Sequence, residues 1–375
     1  METLLPILEQ PRVEEPHDHY RVGVRRKTRQ VNIGGIKVGG GAPISVQTMT
    51  KTKTDDVAGT VRQITEAADE GCDIVRVTVN DKEAAEAMAE IVRQSPIPVV
   101  ADIHFNHVFA LKAIQANVAK VRINPGNIGS KDRIREVLTA AKDKGIPIRI
   151  GVNSGSLEED ILEKHGYPTA EALYESAMRH VGICDEFNFR DVIISVKSTD
   201  VRLMIEAYRL VAARTDIPLH LGVTEAGLTR IGTIKSAVGI GTLLAEGIGD
   251  TIRVSLTDEP VKEVEVGKEI LRSLGLASRN VELIACPTCG RIEVDLFSIM
   301  AQLEEKLQGV KKPVKIAVLG CVVNGPGEAS EADIGIAAGK GVAILYRKGE
   351  MIKRVKESEI VSTVVEEVAN FQPKV

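Results

Sequence analysis

The chain is poor in aromatic residues: they make up 3% of 375 residues, and Trp is absent. That excludes the stacking platforms that hold single-stranded bases. It has no excess of positive charge either. Lys and Arg number 48 against 52 Asp and Glu, for a net charge of −4, which excludes a nucleic-acid protein held by bulk charge. No apolar run approaches the length that spans a bilayer. Cysteine is scarce. Five in a chain this long do not make a secreted disulfide framework. No His follows His220. The start, METLLPILEQPRVEEPHDHY, is acidic and lacks the basic region of a signal peptide, so 1–22 reads as a loose terminal arm. A cytoplasmic globular protein remains, 43% apolar and 27% charged. Its length suits two domains.

What is present is a repeat. Residues 23–43, basic and then Gly-rich, read as a small hairpin whose glycines serve turn geometry. Runs rich in Val and Ile follow at 44–48, 73–79, 98–104, 119–124, 147–153, 191–197, 218–224 and 251–257, with stretches of helical period between them. Strand-then-helix units repeated in this way predict a (β/α)8 TIM barrel over 23–274. Gly71, Gly145 and Gly249 fall where helices should stop. Ser130 and Thr199-Asp200 sit at plausible N-caps. From 281 to 375 the chain reads as a small α/β domain. It has a helix near 294–308, a strand running up to Cys321, strands at 332–338 and 341–347, and a last helix near 358–370.

Alternation along the barrel strands assigns inward residues. They are Arg76, Asp102, His104, Arg122, Asn124, Arg149, Asn153, Lys197, His220, Arg253 and Ser255. A barrel interior is normally filled with Val, Ile and Leu. Here Arg76, Arg122, Arg149, Lys197 and Arg253 are expected near the carboxyl ends of strands, facing one pocket. Asp102 and Glu225 can neutralise one or two of them. So many buried cations repel one another unless an anion joins them, so the mouth is expected to bind a polyanion, most simply a diphosphate. His17, His19, His107, His165 and His180 fall in arms or on helices and are assigned solvated or packing roles. Cys72 and Cys184 read as buried packing residues.

Cys286 and Cys289 form a C-x-x-C turn, and Cys321 ends the apolar run 314–320. The Gly325-Pro326-Gly327 turn is expected to fold Glu328 back toward them. Three thiolates and a weaker oxygen ligand suit an iron–sulfur cluster with one open iron. Zinc remains an alternative, because CPTCG also resembles half a zinc ribbon.

QTMTKTKTDD, ADIHF, RINPGNIG, RIGVNSGSLE, ESAMRH, LHLGVTEAG, AEGIGDTIRVSL, IACPTCGR and GCVVNGPGEA follow one another along the chain. Together they resemble the 4-hydroxy-3-methylbut-2-enyl diphosphate synthase family in its two-domain bacterial form, from about residue 25 to the last helix. The resemblance implies reductive ring opening and dehydration of 2-C-methyl-D-erythritol 2,4-cyclodiphosphate in the non-mevalonate isoprenoid pathway. It implies a 4Fe–4S cluster on Cys286, Cys289, Cys321 and Glu328, and flavodoxin or ferredoxin as electron donor. It also implies an acidic active-site pair, Asp102 and Glu225, with Glu225 taken as proton donor, and a homodimer. Two other readings stay open. One is a phosphate-binding lyase or pterin-type transferase with a zinc-stapled tail. The other is an iron-loaded regulator, which has no need of a cationic barrel mouth.

Chain reach points the same way as the implied dimer. The eighth barrel helix, about 260–273, descends about 21 Å to the bottom face. The link near 275–280 reaches about 20 Å at most. The cluster is therefore expected to serve the barrel of a second subunit.

Overall fold

The computed structural model describes residues 23–277, 281–323 and 325–372. The terminal arm over 1–22, with His17 and His19, lies outside the described residues. The chain divides into two compact units, the first ending at Ala277.

The first unit is a barrel of eight parallel strands. They are β3 (Ser45–Met49), β4 (Ile74–Thr78), β5 (Val99–Asp102), β6 (Lys120–Arg122), β7 (Ile148–Asn153), β8 (Val192–Lys197), β9 (His220–Leu221) and β10 (Thr251–Ile252). Their order is β8-β7-β6-β5-β4-β3-β10-β9. A parallel bridge from Ile194 to Leu219 closes the ring. The seventh and eighth strands are much shorter than their apolar runs suggest, because Gly222 and Arg253 already belong to the loops at the mouth.

Outside the strands run α1 (Val57–Asp69), α2 (Lys82–Gln94), α3 (His107–Gln115), α4 (Lys131–Asp143), α5 (Glu159–His165), α6 (Ala170–Glu186), α7 (Val201–Arg214), α8 (Thr229–Ala245) and α9 (Pro260–Ser273). The helix starts follow side-chain capping. Asp56, Asp81 and Asp200 accept backbone N–H groups at the starts of α1, α2 and α7. Ser130 stands at the cap position of α4, but its side chain makes no capping bond. Gly71 and Gly145 turn the chain out of α1 and α4 at φ +93° and +63°, a conformation that costs glycine little. Val121, Ile123, Ile148, Ile150, Val152 and Val254 fill the layer between strands and helices. The alternate residues therefore face the barrel axis.

The basic, Gly-rich stretch before the barrel forms the hairpin β1 (Gln30–Ile33) and β2 (Ile36–Gly39). Val31, Ile33 and Val38 pack on Ile74, Val100 and Ile193, which lie at the amino ends of β4, β5 and β8. The hairpin thus closes the bottom of the barrel. Cys72 and Cys184 are buried in this unit, and burial pushes both thiols up to about 12. Both are packing residues.

The second unit holds one five-stranded sheet, β11 (Glu282–Ala285), β12 (Lys315–Leu319), β13 (Ile334–Gly339), β14 (Val342–Arg347) and β15 (Glu350–Lys356), in chain order. The first three strands are parallel and the last two antiparallel. On one face lie α10 (Leu296–Leu307) and α12 (Ile360–Asn370), whose Leu303 and Val364 pack on Ile316 and Ile336. On the other face lies α11 (Gly325–Ser330), with Ala329 against Leu319 and Ala337. Strand β15 has no counterpart in the sequence reading. EMIKRVK at a sheet edge buries only Val355, so no alternation marks it. Gly325-Pro326-Gly327 starts a short helix where a turn was expected. Among the described residues, no helix is long and apolar enough to cross a membrane.

Candidate active site and thiolate cavity

Strand register sets the barrel site. Asp102 pairs with Arg122 across β5 and β6, and Arg122 with Arg149 across β6 and β7. Asp102 is 5% exposed. Arg76 Nε lies 3.6 Å from its Oδ2, and Arg122 Nη1 lies 3.4 Å from its Oδ1. Burial alone would raise the Asp102 carboxyl. Arg76, the neighbouring His104 and Arg122 together hold it well below the usual carboxylate range. Asp102 is therefore a permanent anion that gathers two guanidinium groups.

Arg122 also donates to the Gly151 carbonyl at 2.9 Å and meets His104 Nδ1 at 3.0 Å. Its Nε stands 2.6 Å from where a Cβ on Gly151 would be, so only glycine leaves the guanidinium its place. Asn124 locks the same residue. Its Nδ2 donates to the Gly151 carbonyl at 3.1 Å, and its Oδ1 accepts the Gly151 N–H at 2.9 Å. Arg76 rests on the Met49 sulfur at 2.9 Å, and burial pushes it down to about 10.

Two expectations need correction. Arg149 is not at the mouth. It is the second residue of β7, fully buried, and its Nε and Nη1 lack partners among the described residues. Burial, then Arg76 and Arg122, lower it well below its ordinary value. His220 begins β9 at a similar depth, with both ring nitrogens unpartnered among the described residues. Burial and the surrounding cations keep its imidazole neutral. The second correction concerns inward acids. Glu263 of α9, fully buried, takes both Arg253 Nε and Nη2 at 3.2 Å. It also accepts from Thr48 Oγ1 at 2.7 Å and the Leu256 N–H at 3.0 Å. A helix residue that reaches strand and loop partners leaves no trace in strand alternation.

Lys120 was also missed. It is fully buried and donates to Gln47 Oε1 at 3.2 Å. Its position two residues before Arg122 on an alternating strand is the signal that could have found it. Lys197 ends β8, and its Nζ lies 2.7 Å from where a Cβ on Gly222 would be. Burial, then Arg149 and Arg76, push it well below its usual value. Asn153 and Ser255 are half-buried at the mouth, on the inward side by alternation with Val152 and Val254.

Glu225, in the loop after β9, is exposed and has left-handed backbone, φ +50°. That conformation is costly for a residue with a side chain. Among the described residues its carboxylate has neither an ion pair nor a hydrogen bond, so it is not the partner of a neighbouring Arg. His180, assigned a packing role, is buried, and its Nδ1 accepts the Gly126 N–H at 3.2 Å.

In the second unit, Cys286, Cys289, Cys321 and Glu328 line one cavity of about 160 Å³ at the carboxyl ends of β11 and β12. The Gly320 N–H points at Cys286 Sγ from 3.5 Å. The Arg291 N–H holds the Cys289 thiol below its ordinary value. Among the described residues, no three such side chains converge on a single ion-sized point. Three thiols and a carboxyl lining one cavity form a donor set of the kind that holds an iron–sulfur cluster.

Removing Glu263 leaves the Arg253 guanidinium without its buried partner. Glu263→Ala should lose about 3–5 kcal/mol of stability in urea denaturation. A loss under about 1 kcal/mol would show that the pair does not hold the barrel together.

The family model described as the GcpE TIM-barrel domain matches residues 28–268, and that of the GcpE protein C-terminal domain matches 282–370. A curated relative from Clostridium perfringens, named 4-hydroxy-3-methylbut-2-en-1-yl diphosphate synthase (flavodoxin), is 57% identical over 91% of this chain and 98% of its own. A relative of the same name from Aquifex aeolicus is 55% identical over 93% of this chain and 98% of its own. Among solved structures, 3-dehydroquinate dehydratase from Geobacillus kaustophilus superposes with a TM-score of 0.48 at 14% identity, over 68% of this chain and 100% of that one. Matched in both units, the chain belongs to the GcpE family.

Proposed function

We propose that the chain catalyses reductive ring opening and dehydration of 2-C-methyl-D-erythritol 2,4-cyclodiphosphate to 4-hydroxy-3-methylbut-2-enyl diphosphate. The observation that carries this reading is the combination, in one chain, of an under-neutralised cationic barrel with a three-thiolate cavity. The names of the relatives support the same activity. A non-redox lyase or transferase with a zinc-stapled tail is not favoured.

The overall change is balanced by two electrons and two protons taken up and one water released. A 4Fe–4S cluster held by Cys286, Cys289, Cys321 and Glu328 would supply the electrons singly. The chain's own residues do the rest. Arg76, Arg122 and Lys197, with Arg149 beneath them, offer positive charge to the diphosphate, and Arg does so by forked hydrogen bonds. Asp102 stays ionised and so cannot donate a proton at neutral pH. Its part is to orient Arg76, Arg122 and His104. Glu225 is an unpaired carboxyl on strained backbone beside the mouth, and it is our choice for the acid that protonates the departing oxygen. Asn124, Asn153, His220, Arg253 and Ser255 complete the substrate pocket in this reading.

Flavodoxin is the donor in the names of the relatives, and we extend it to this chain; ferredoxin is the chemical alternative. A homodimer is part of the proposal. Leu228 at the cap of α8, with Ile231, Ile234 and Val238 along it, forms an exposed aliphatic stripe of the kind that a subunit contact covers. A site shared between chains, the barrel of one with the thiolate cavity of the other, is the finer part of this proposal. A cytoplasmic location goes with a reduced cluster and a protein electron donor.

Protein prepared without oxygen should be brown, with about four irons per chain. Cys289→Ser should abolish the cluster and Glu328→Ala should weaken it. Colourless protein holding one stoichiometric zinc would sink this reading.

Arg122→Ala should lose substrate binding on the order of 2–5 kcal/mol with iron content unchanged. Glu225→Gln should instead lower kcat far more than affinity. Parent-like binding in the first, or parent-like turnover in the second, would remove that residue from its role.

Co-expressing Arg122→Ala and Cys289→Ser chains tests the shared site. Each alone should be inactive, whereas the mixed dimer keeps one intact barrel and one intact cluster in opposite chains. Mixed dimers without recovered activity would refute the arrangement.

A further inference from the structure

Strand β15, the edge of the second unit's sheet, carries charge that the reaction does not use. Between 340 and 356 lie Lys340, Arg347, Lys348, Lys353, Arg354 and Lys356, against Glu350 as the one acid. Arg347 is paired with Glu367, and Lys348 sits over the Phe371 ring. Among the described residues, Lys340, Lys353, Arg354 and Lys356 have no ion pair. All four are exposed.

Register places three of them at the end of the sheet where the thiolate cavity lies, three strands across from β12. Val342 pairs with Lys356 and Ile344 with Arg354. Ala343, Leu345 and Val355 face α10 and α12. The alternate residues Val342, Ile344, Arg354 and Lys356 therefore lie on the other face, the face of α11. Strands β12 and β13 run parallel, so the Gly339–Val342 turn lies at the Cys321 end of the sheet. A Cβ on Gly339 would stand 3.0 Å from a Val322 methyl, one residue beyond Cys321. Val322 is 56% exposed and Val342 44% exposed. The Glu293 carboxylate lies on the Val322 side, 3.3 Å from the same Gly339 position, and the unpaired cations lie on the β14–β15 side. Apolar surface bordered by those cations, continuous with the loop of a cluster ligand, is what an acidic protein partner fits.

We propose that this face, with Lys340, Val342, Arg354 and Lys356 at its centre, is where an electron carrier of negative surface charge docks. It rests on the redox reading above and adds the surface through which that reading is fed. Each docking oxidises the carrier by one electron and reduces the cluster by one. Two visits supply the pair that carbon–oxygen cleavage consumes. The cations steer the approach, so association should weaken steeply with ionic strength. A weak, small contact suits a carrier that must leave after each electron.

The test uses the full-length, cluster-loaded protein and a Lys340→Glu/Arg354→Glu/Lys356→Glu variant. Turnover is driven by reduced flavodoxin or by dithionite with methyl viologen, which needs no docking surface. The proposal expects kcat/KM for flavodoxin to fall tenfold or more, and its salt dependence to flatten. Turnover with methyl viologen should stay within twofold. Titration calorimetry at low salt, with oxidised flavodoxin as probe, reads docking without turnover and should show binding to the parent lost in the variant. Should the triple variant fold poorly, Lys356→Gln alone should lower kcat/KM for flavodoxin severalfold at parent thermal stability. Equal flavodoxin kinetics and binding in parent and variants would overturn the proposal. If those variants also aggregate, the cations guard an open sheet edge against pairing. A parent inactive with both donors but binding flavodoxin through this face would fail the reaction and keep the docking site.

Discussion

Positive charge confined inside the barrel is the constraint that the rest of the first unit answers to. Arg76, Arg122, Arg149, Lys120, Lys197 and Arg253 share a space in which Asp102 and Glu263 are the acids in contact. Each neighbouring feature relieves part of the strain. Met49 gives Arg76 a soft acceptor, Gln47 takes the ammonium of Lys120, and the Gly151 carbonyl takes Arg122. Gly151 and Gly222 keep side chains away from the charged tips. Among the described residues, nothing partners Arg149 Nε and Nη1. Buried cations left in this state are what the proposed diphosphate would neutralise.

The thiolate cavity is organised by different means. It sits where two parallel strands end and a short helix begins, so backbone N–H groups converge there. Those of Gly320 and Arg291 point at cysteine sulfurs. Such donors favour the thiolate, the form that binds metal. The barrel gathers buried cations, whereas the cavity of the second unit gathers cysteines and a carboxyl, so the two units carry side chains of opposite charge preference.

Much of this was legible in the residues themselves. The barrel follows from Val- and Ile-rich runs at regular spacing, and the inward set from alternation in segments such as Val121-Arg122-Ile123-Asn124. The thiolate set follows from the scarcity of Cys and the absence of His after His220. The missed parts share one physical cause: their signal is not local. Glu263 acts from a helix through a gap between strands. Arg149 has the right face, but its depth depends on where β7 begins. Lys120 carries the same alternation as Arg122, yet nothing in its charge says that it is sealed from water. Strand β15 is too polar to show a period, because a sheet edge buries one side chain in seven residues.

The β1–β2 hairpin fixes the traffic of the barrel. With Val31, Ile33 and Val38 seated on the lower ends of the strands, the interior is a well with one opening. Substrate, product, expelled water and the protons consumed must all pass the same rim. The product cannot drain through the floor while new substrate enters from above, so each turnover ends with the well emptied by the door through which it was filled.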